Sequence, residues 1–460
     1  MTEGETGTGM LTALHGWGRY PVVSGRMVTP RSEEELLALL HAEPTGTWVP
    51  RGLGRSYGDA SLNRGGTSVV LTGLEQVHEF SPATAILDCD AGVSLAEIVR
   101  RFLPAGFFLP VTPGTQFVTV GGAIASDVHG KNHHRVGSFS EHVLEFRLLT
   151  PGGAALRCSR NENPEAFWAT VGGMGLTGFI TRVRLRLRPV ESAFVLVRYE
   201  RAPDLAATLA RLETADREFE YTLAWLDLAA TGPRVGRSLL MFGRHATAGE
   251  APGEFVDRLE LRPRRRLEVP FTVPLAPRRV TAIGAFNALY LAAHASGVER
   301  TVDLTGFFHP LDAIGAWNRL FGRAGFVEIQ FVVPNEAAPA VLTEASRSIA
   351  RHGRAPFLGV LKRLGAPSGG MLSFPRPGTT ASLDLPVDDR LPGIAAELER
   401  IVMAHGGRVY LAKDALQSRD AFAQGYPRLE EFRAARRRLD PDGRLSSSMG
   451  RRLGIVEPTP

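Results

Sequence analysis

The chain is poor in cysteine, lacks a long apolar run and carries a formal net charge of only +5 over 460 residues. Its two cysteines, Cys89 and Cys158, allow one disulfide at most and exclude a small fold stapled by several. No stretch reaches the roughly 18 uncharged apolar residues of a membrane span. The opening MTEGETGTGMLTALHGWGRY has neither a basic n-region nor an apolar h-region. No secretory signal is read there, and the chain is expected to stay in the cytosol. Internal repeats, low-complexity tracts and zinc-finger spacing are also missing. Arginine dominates the basic residues, but they are spread along the chain, which argues against a nucleic-acid partner. Two local basic runs stand out, Arg262 to Arg266 and Arg436 to Arg438. They read either as solvated surface or as contacts for anionic headgroups or a phosphate-bearing substrate.

Glycine, by contrast, is abundant at 50 residues, with 31 prolines beside it. Many tight turns and close backbone approaches follow from that. The length predicts two domains or one elaborated one. Residues 21 to 190 read as a unit of short strands and glycine turns. Its helices start at Ser32 and Ser94, with Glu35 and Glu97 at the capping-box position. ITRVRLRLRPVE, from Ile180, alternates with period two and predicts a strand with one wet face, stopped by Pro189. From about 191 to 407, strands (AFVLVRYE, EYTLAWLDL, VEIQFVVP, ASLDLPV) alternate with amphipathic helices, which predicts a sheet with helices on one face.

Three glycine clusters carry the chemistry. PRGLGRSYGDA, Pro50 to Ala60, follows a strand and offers backbone N–H groups to phosphate oxygens. It is neither a P-loop, which needs GK[ST], nor the GxGxxG turn that opens a long helix. PGTQFVTVGGAIASDVHGKNHH, Pro113 to His134, holds Gly114, Gly121 and Gly122, and its VGGAIAS run predicts a helix whose N-terminus faces a pyrophosphate. ATVGGMGLTG, Ala169 to Gly178, is the third. The histidines His129, His133 and His134 lack the spacing of a metal site. His129 reads either as a hydrogen-bond donor near a cofactor or substrate, or as a satisfied structural histidine.

With RVYLAKDA near the C-terminus and HPLD at His309, these segments resemble the vanillyl-alcohol-oxidase-like, PCMH-type FAD-binding oxidoreductases. The resemblance runs from GWGRY at Gly16 to the C-terminal RRLG. It implies an α+β fold, a two-subdomain PCMH-type FAD-binding domain with an antiparallel-sheet substrate domain. Residues 1–190 form the FAD-binding domain in that reading, 191–407 the substrate-binding domain, and 408–460 complete the FAD domain. The cofactor implied is FAD. Some relatives attach it through a histidine in the first loop, where Arg55 stands here, so noncovalent binding is expected.

The resemblance also implies site residues. Gly52, Leu53, Gly54, Arg55, Ser56 and Tyr57 would hold the FAD diphosphate together with Thr119, Gly121, Gly122, Ala125 and Ser126. Pro113, Gly114, Thr115, Asn132, Gly178 and Ile180 would complete the cofactor site, with His129 and Lys413 near the flavin. Lys413, His129 and Tyr57 are the catalytic candidates. Lys131, His133, Trp225, Gln330, Lys362, Ser382 and Tyr410 are the substrate-binding ones, Lys362 near a sugar phosphate. Lys413 would either stabilise developing alkoxide charge or accept the hydroxyl proton if burial lowers its pKa.

The reaction implied is oxidation of the 2-hydroxyl of a polyprenyl-phosphoryl-β-D-ribose to the 2-keto sugar. That is the first half of an epimerisation for cell-wall arabinan. An NAD(P)H-dependent keto-sugar reductase, a quinone-type electron acceptor and peripheral membrane association are the partners it carries. The other reading is oxidation of a soluble sugar, alditol or aldonolactone. Two positions depart from the pattern. Ser382 replaces a cysteine, which removes thiol chemistry, and Phe308 replaces a tyrosine.

Overall fold

A computed structural model describes residues 10–229, 232–252, 258–261, 267–272, 280–294 and 296–456. The basic run Arg262 to Arg266 lies outside the described residues. Two small sheets come first. One has four strands in the order Thr12–Leu14, Val23–Val28, Thr67–Val70, Trp48–Arg51, the last two neighbour pairs parallel. The other is antiparallel, in the order Val77–Ser81, Ile86–Asp90, Phe179–Arg186, Val143–Leu149, Ala155–Ser159. Ser32 and Ser94 cap their helices as expected, each accepting from the N–H three residues on. The capping boxes do not close. Glu35 turns back to the Arg31 N–H, and Glu97 is held by Arg100 and Arg101.

The register excludes the disulfide. Cys89 lies opposite Val183, Val183 opposite Phe146, and Phe146 opposite Cys158. Two strands therefore separate the thiols, far beyond bridging distance. Both are free and fully buried. Burial and then Glu162 push the Cys158 thiol up to about 12, and burial pushes Cys89 up as well. A thiol reagent is therefore expected to label neither cysteine in the native protein and both after unfolding. Labelling of the folded chain would contradict this packing.

The third sheet has eight strands, in the order Val298–Asp303, Phe194–Ala202, Ser238–His245, Tyr221–Leu226, Gly359–Leu364, Gly378–Pro386, Phe326–Val333, Arg408–Val409. Each neighbour pair is antiparallel. Strand alternation divides its faces. On the back, Val327, Phe331, Val333, Leu361, Ala381 and Leu383 pack with the helices Leu205–Glu218, Ala338–Arg351 and Leu391–Ala404. The front face borders a cavity.

The last residues return to the first sheet. Trp48 N–H donates to Arg444 O (2.7 Å) and Ser446 N–H to Trp48 O (2.8 Å). The arginine run at 436–438 is not a patch of three solvated cations. Arg436 is buried and donates to Asp440 and to the Leu445 carbonyl, and Arg438 pairs with Glu165. Among the described residues no helix is long and apolar enough to cross a membrane.

Candidate active site

The glycine loops and the front face of the large sheet enclose one continuous cavity of about 680 Å³, within the range of cofactor and ligand sites. The Trp48–Arg51 strand delivers the first loop. Gly54 sits there at φ +66°, a conformation that costs glycine little. Among the described residues, no acceptor is paired with the backbone N–H groups of Gly52, Leu53, Gly54 and Ser56. These donors fit a diphosphate.

The second segment behaves differently from expectation. Thr119 caps the helix Val120–Ala125. Its first N–H groups are already taken: Val120 donates to Val93 O, Gly121 to Ala91 O and Gly122 to the Thr119 hydroxyl. The helix N-terminus is therefore not the phosphate seat. Thr119, Gly121, Gly122, Ala125 and Ser126 still line the cavity, as do Pro113, Gly114, Thr115, Gly178 and Ile180. Asn132 does not. It is buried and donates to Pro110 O at 2.9 Å, which makes it a loop brace.

The sheet supplies the other wall in rows. Trp225, Val360, Ser382 and Gln330 are successive cross-strand partners. Asp384 lies directly opposite Glu328. All six side chains border the cavity, as Lys362 and Tyr410 do. Toward the outer strands the lining turns apolar, with Tyr199, Leu223, Met241 and Tyr290 joining Trp225.

Lys413 is the centre of the polar end. Its ammonium lies 2.5 Å from Glu328 Oε2 and 3.9 Å from the centre of the Tyr57 ring. Glu328 also accepts from the Ser382 hydroxyl. Burial raises the Glu328 carboxyl, but Lys413 and these hydrogen bonds outweigh it and hold it below the usual range. Burial and then Glu328 and Asp384 push the Tyr57 phenol well up. Gln330 donates to His129 Nε2 at 2.9 Å, which leaves the buried Nδ1 as the protonated nitrogen. Burial, then Lys362, His133 and Lys413, keep this imidazole neutral. Tyr410 donates to Ser126 O at 2.9 Å and stacks on Phe374. His133 does not reach the cavity. It accepts from Gly365 N–H and bonds the Ser138 hydroxyl, a structural role.

Three residues were not anticipated: Glu328, Asp384 and Asp312, whose carboxylate holds Thr115 Oγ1 (2.7 Å) and Gln116 N–H (3.0 Å). Two of them were readable. VEIQ and SLD put Glu328 and Gln330, and Ser382 and Asp384, two apart on otherwise apolar strands, so each pair shares a face. A stronger signal was the lysine count. The chain holds only three lysines among its 53 basic residues, Lys131, Lys362 and Lys413. All three line this cavity.

Lys131 rests on the Phe307 and Phe308 carbonyls. Among the described residues neither it nor Lys362 has a carboxylate partner. Burial, then Lys362, lowers Lys131 to about 7, and burial, then Lys413, lowers Lys362 to about 8. Both are charged below these values and lose their protons above them. An anionic substrate seated on them is expected to bind about tenfold more weakly at pH 9 than at pH 6.5, as read from KM against pH. A flat KM profile would remove the pair from the binding site.

Comparison with known proteins assigns the family. Residues 25–159 match the model of an FAD binding domain, and residues 319–453 that of D-arabinono-1,4-lactone oxidase. The decaprenylphosphoryl-β-D-ribose oxidase of Mycolicibacterium smegmatis is 37% identical over 452 residues, covering 96% of this chain and 97% of the relative. An L-gulono-1,4-lactone dehydrogenase of Mycobacterium tuberculosis is 22% identical over 95% of this chain and 98% of its own length. Cytokinin dehydrogenase 2 of Arabidopsis thaliana is 29% identical over 38% of this chain and 36% of its own. The unpaired loop donors, the glycine-lined cradle and the reach of the cavity to Lys413 suit FAD, and the chain belongs to the decaprenylphosphoryl-β-D-ribose oxidase family of FAD-dependent oxidoreductases.

Proposed function

We propose that the chain oxidises the 2-hydroxyl of a polyprenyl-phosphoryl-β-D-ribose to the 2-keto sugar. The observation that carries this reading is the order of chemistry along the cavity. Across the neighbouring strands of the sheet, Gln330 and Ser382 come first, with Lys413 beside Glu328, then Lys362, then Trp225 and Leu223, then Met241, while Tyr290 lies against Trp225 and the Lys131 carbonyl accepts from Thr222 N–H. A sugar, a phosphate and a lipid chain need that sequence of surroundings. Residues 1–190 and 408–460 form the FAD domain in this proposal, and 191–407 carry the substrate wall.

FAD, when bound, would supply the two-electron acceptor for the C2 hydride. The protein orients the alcohol and stabilises its oxygen. Lys413, ion-paired with Glu328, lowers the cost of negative charge on the substrate oxygen and relays the hydroxyl proton to the Glu328 carboxylate 2.5 Å away. Neutral His129 offers Nδ1–H as a second donor. The loop from Gly52 to Tyr57 would hold its diphosphate. Arg55 stacks on Trp17 (4.1 Å) and Phe117 (5.4 Å) and offers no nucleophile, which supports noncovalent FAD. The 2-keto product suits an NAD(P)H-dependent reductase, and the electrons leave to a quinone-type acceptor. Leu267, Phe271 and Leu289 are 66–72% exposed, and they support peripheral contact with a lipid surface.

Anaerobic bleaching of the flavin by a short-chain polyprenyl-phosphoryl ribose tests the reading, and an FAD-loaded protein that stays oxidised would reject it. A charge in the apolar arm separates lipid-linked from soluble substrates. Met241→Arg is expected to raise KM for a lipid-linked sugar phosphate more than tenfold, with little change for a headgroup lacking the chain. Equal effects on both would mean that the arm does not bind lipid. The second reading, oxidation of a soluble aldonolactone, draws support from the match of residues 319–453, which include Glu328 and Lys413, to the arabinonolactone oxidase model.

A further inference from the structure

Two carboxyl groups share the polar end of the cavity with one paired cation. Glu328 and Asp384 are directly opposed on adjacent antiparallel strands and face the same side. Such partners have Cβ atoms about 5 Å apart. Lys413 is bonded to Glu328 and not to Asp384. Asp384 is 2% exposed and borders the cavity. Its main chain is used by Phe357 and Leu358, yet among the described residues its carboxyl has no hydrogen-bond partner. Two ionised carboxylates this close, with one ammonium between them, would leave a negative charge uncompensated away from water.

We propose that Glu328 keeps Asp384 as a neutral carboxylic acid, whose O–H donates a hydrogen bond to a hydroxyl oxygen of the bound sugar. Glu328 is then a positioning residue for both Asp384 and Lys413. The inference rests on the alcohol-oxidation reading of the same site. The groups facing Asp384 agree with it. Glu328 opposes its ionisation, Lys413 is bonded to Glu328, Lys362 stands one strand away, and the Tyr57 ring lies against the Lys413 ammonium. Burial is the main force raising this carboxyl, and Glu328 adds to it. A carboxyl held neutral in an apolar site is a strong donor to an oxygen that gains negative charge.

Infrared difference spectra of the FAD-loaded protein test the protonation without any substrate. The carbonyl stretch of a protonated carboxyl is expected at pH 7 in the wild type. It should be lost in Asp384→Asn, and in Glu328→Gln it should appear only at acid pH. A wild type without that band at pH 7, or a band that survives Asp384→Asn, overturns the proposal.

Kinetics test the donor role with whichever alcohol reduces the flavin, polyprenyl-phosphoryl ribose or D-arabinono-1,4-lactone. Asparagine keeps a donor in the same shape, so Asp384→Asn is expected to lose about tenfold in kcat/KM and Asp384→Ala more than a hundredfold. Equal losses would mean that Asp384 acts as a carboxylate and would overturn the inference. A wild type that shows the band but is not bleached by the ribosyl lipid overturns the substrate reading alone.

Discussion

Replacing Lys413 by methionine is expected to slow flavin reduction by about 10²–10³-fold, the loss seen when one donor to a developing oxyanion is removed. The stem of the side chain is kept, so Tyr57 retains a packing neighbour while losing the ammonium 3.9 Å from its ring centre. Glu328 suffers in the same substitution. Its carboxylate stays buried beside Asp384 with its cation gone, a situation that typically costs about 3–5 kcal/mol. Rate and stability should therefore fall together in the single variant. The double variant Lys413→Met, Glu328→Gln separates them, because it removes the stranded charge as well. Thermal stability should recover in the double variant and flavin reduction should not. Recovery of the rate would show that Lys413 serves only to neutralise Glu328. Lys413→Arg keeps the charge but not the compact ammonium, and it is expected to restore less than a tenth of the rate.

The second large effect is expected at Gly58. A Cβ built there would stand 1.8 Å from the Asp414 carbonyl oxygen and 3.0 Å from Ala415 Cα, so backbone would have to move on one side or the other. Tyr57 N–H donates to Ala412 O at 3.0 Å across the same contact. The loop at 52–58 and the segment carrying Lys413 are thus one packed unit. Gly58→Ala should cost about 3 kcal/mol, the upper end of ordinary overpacking. It should also weaken FAD binding more than tenfold, read as flavin fluorescence released on dilution. Gly249→Ala is the control, since a Cβ there meets nothing within 4 Å. A Gly58→Ala protein that melts with the control and keeps its flavin would show that the two segments are not coupled.

Many of the residues that line the cavity were legible in the sequence. The loop from Gly52 to Tyr57, His129, Gln330 and Lys413 were all recognisable, because glycine clusters and rare polar residues on apolar strands carry local information. What failed depended on where hydrogen bonds go. Gly121 and Gly122 looked like phosphate donors at a helix start, but Ala91 and Thr119 had already claimed their N–H groups. His133 and Asn132 belonged by sequence to the same polar run as His129 and Lys131, yet one turn of backbone points them into the loop's own bracing. Glu328 was visible only as a strand residue. Its pairing with Lys413 joins positions 85 apart, which no local pattern encodes. Arg436 looked solvated because helical arginines usually are, while Asp440 and the Leu445 carbonyl draw it inside.

The confinement of all three lysines to one cavity has a practical side. On an ordinary protein, amine-reactive reagents scatter over the surface. Here every lysine of the sequence borders the one cavity. An acylating ester or an aldehyde with a reducing agent would therefore act as an affinity label without any targeting group, and bound substrate would protect against it. Amine coupling to a bead or sensor chip would block this cavity, so attachment is better made elsewhere. Peptide mapping of labelled protein would report the protection of each lysine separately.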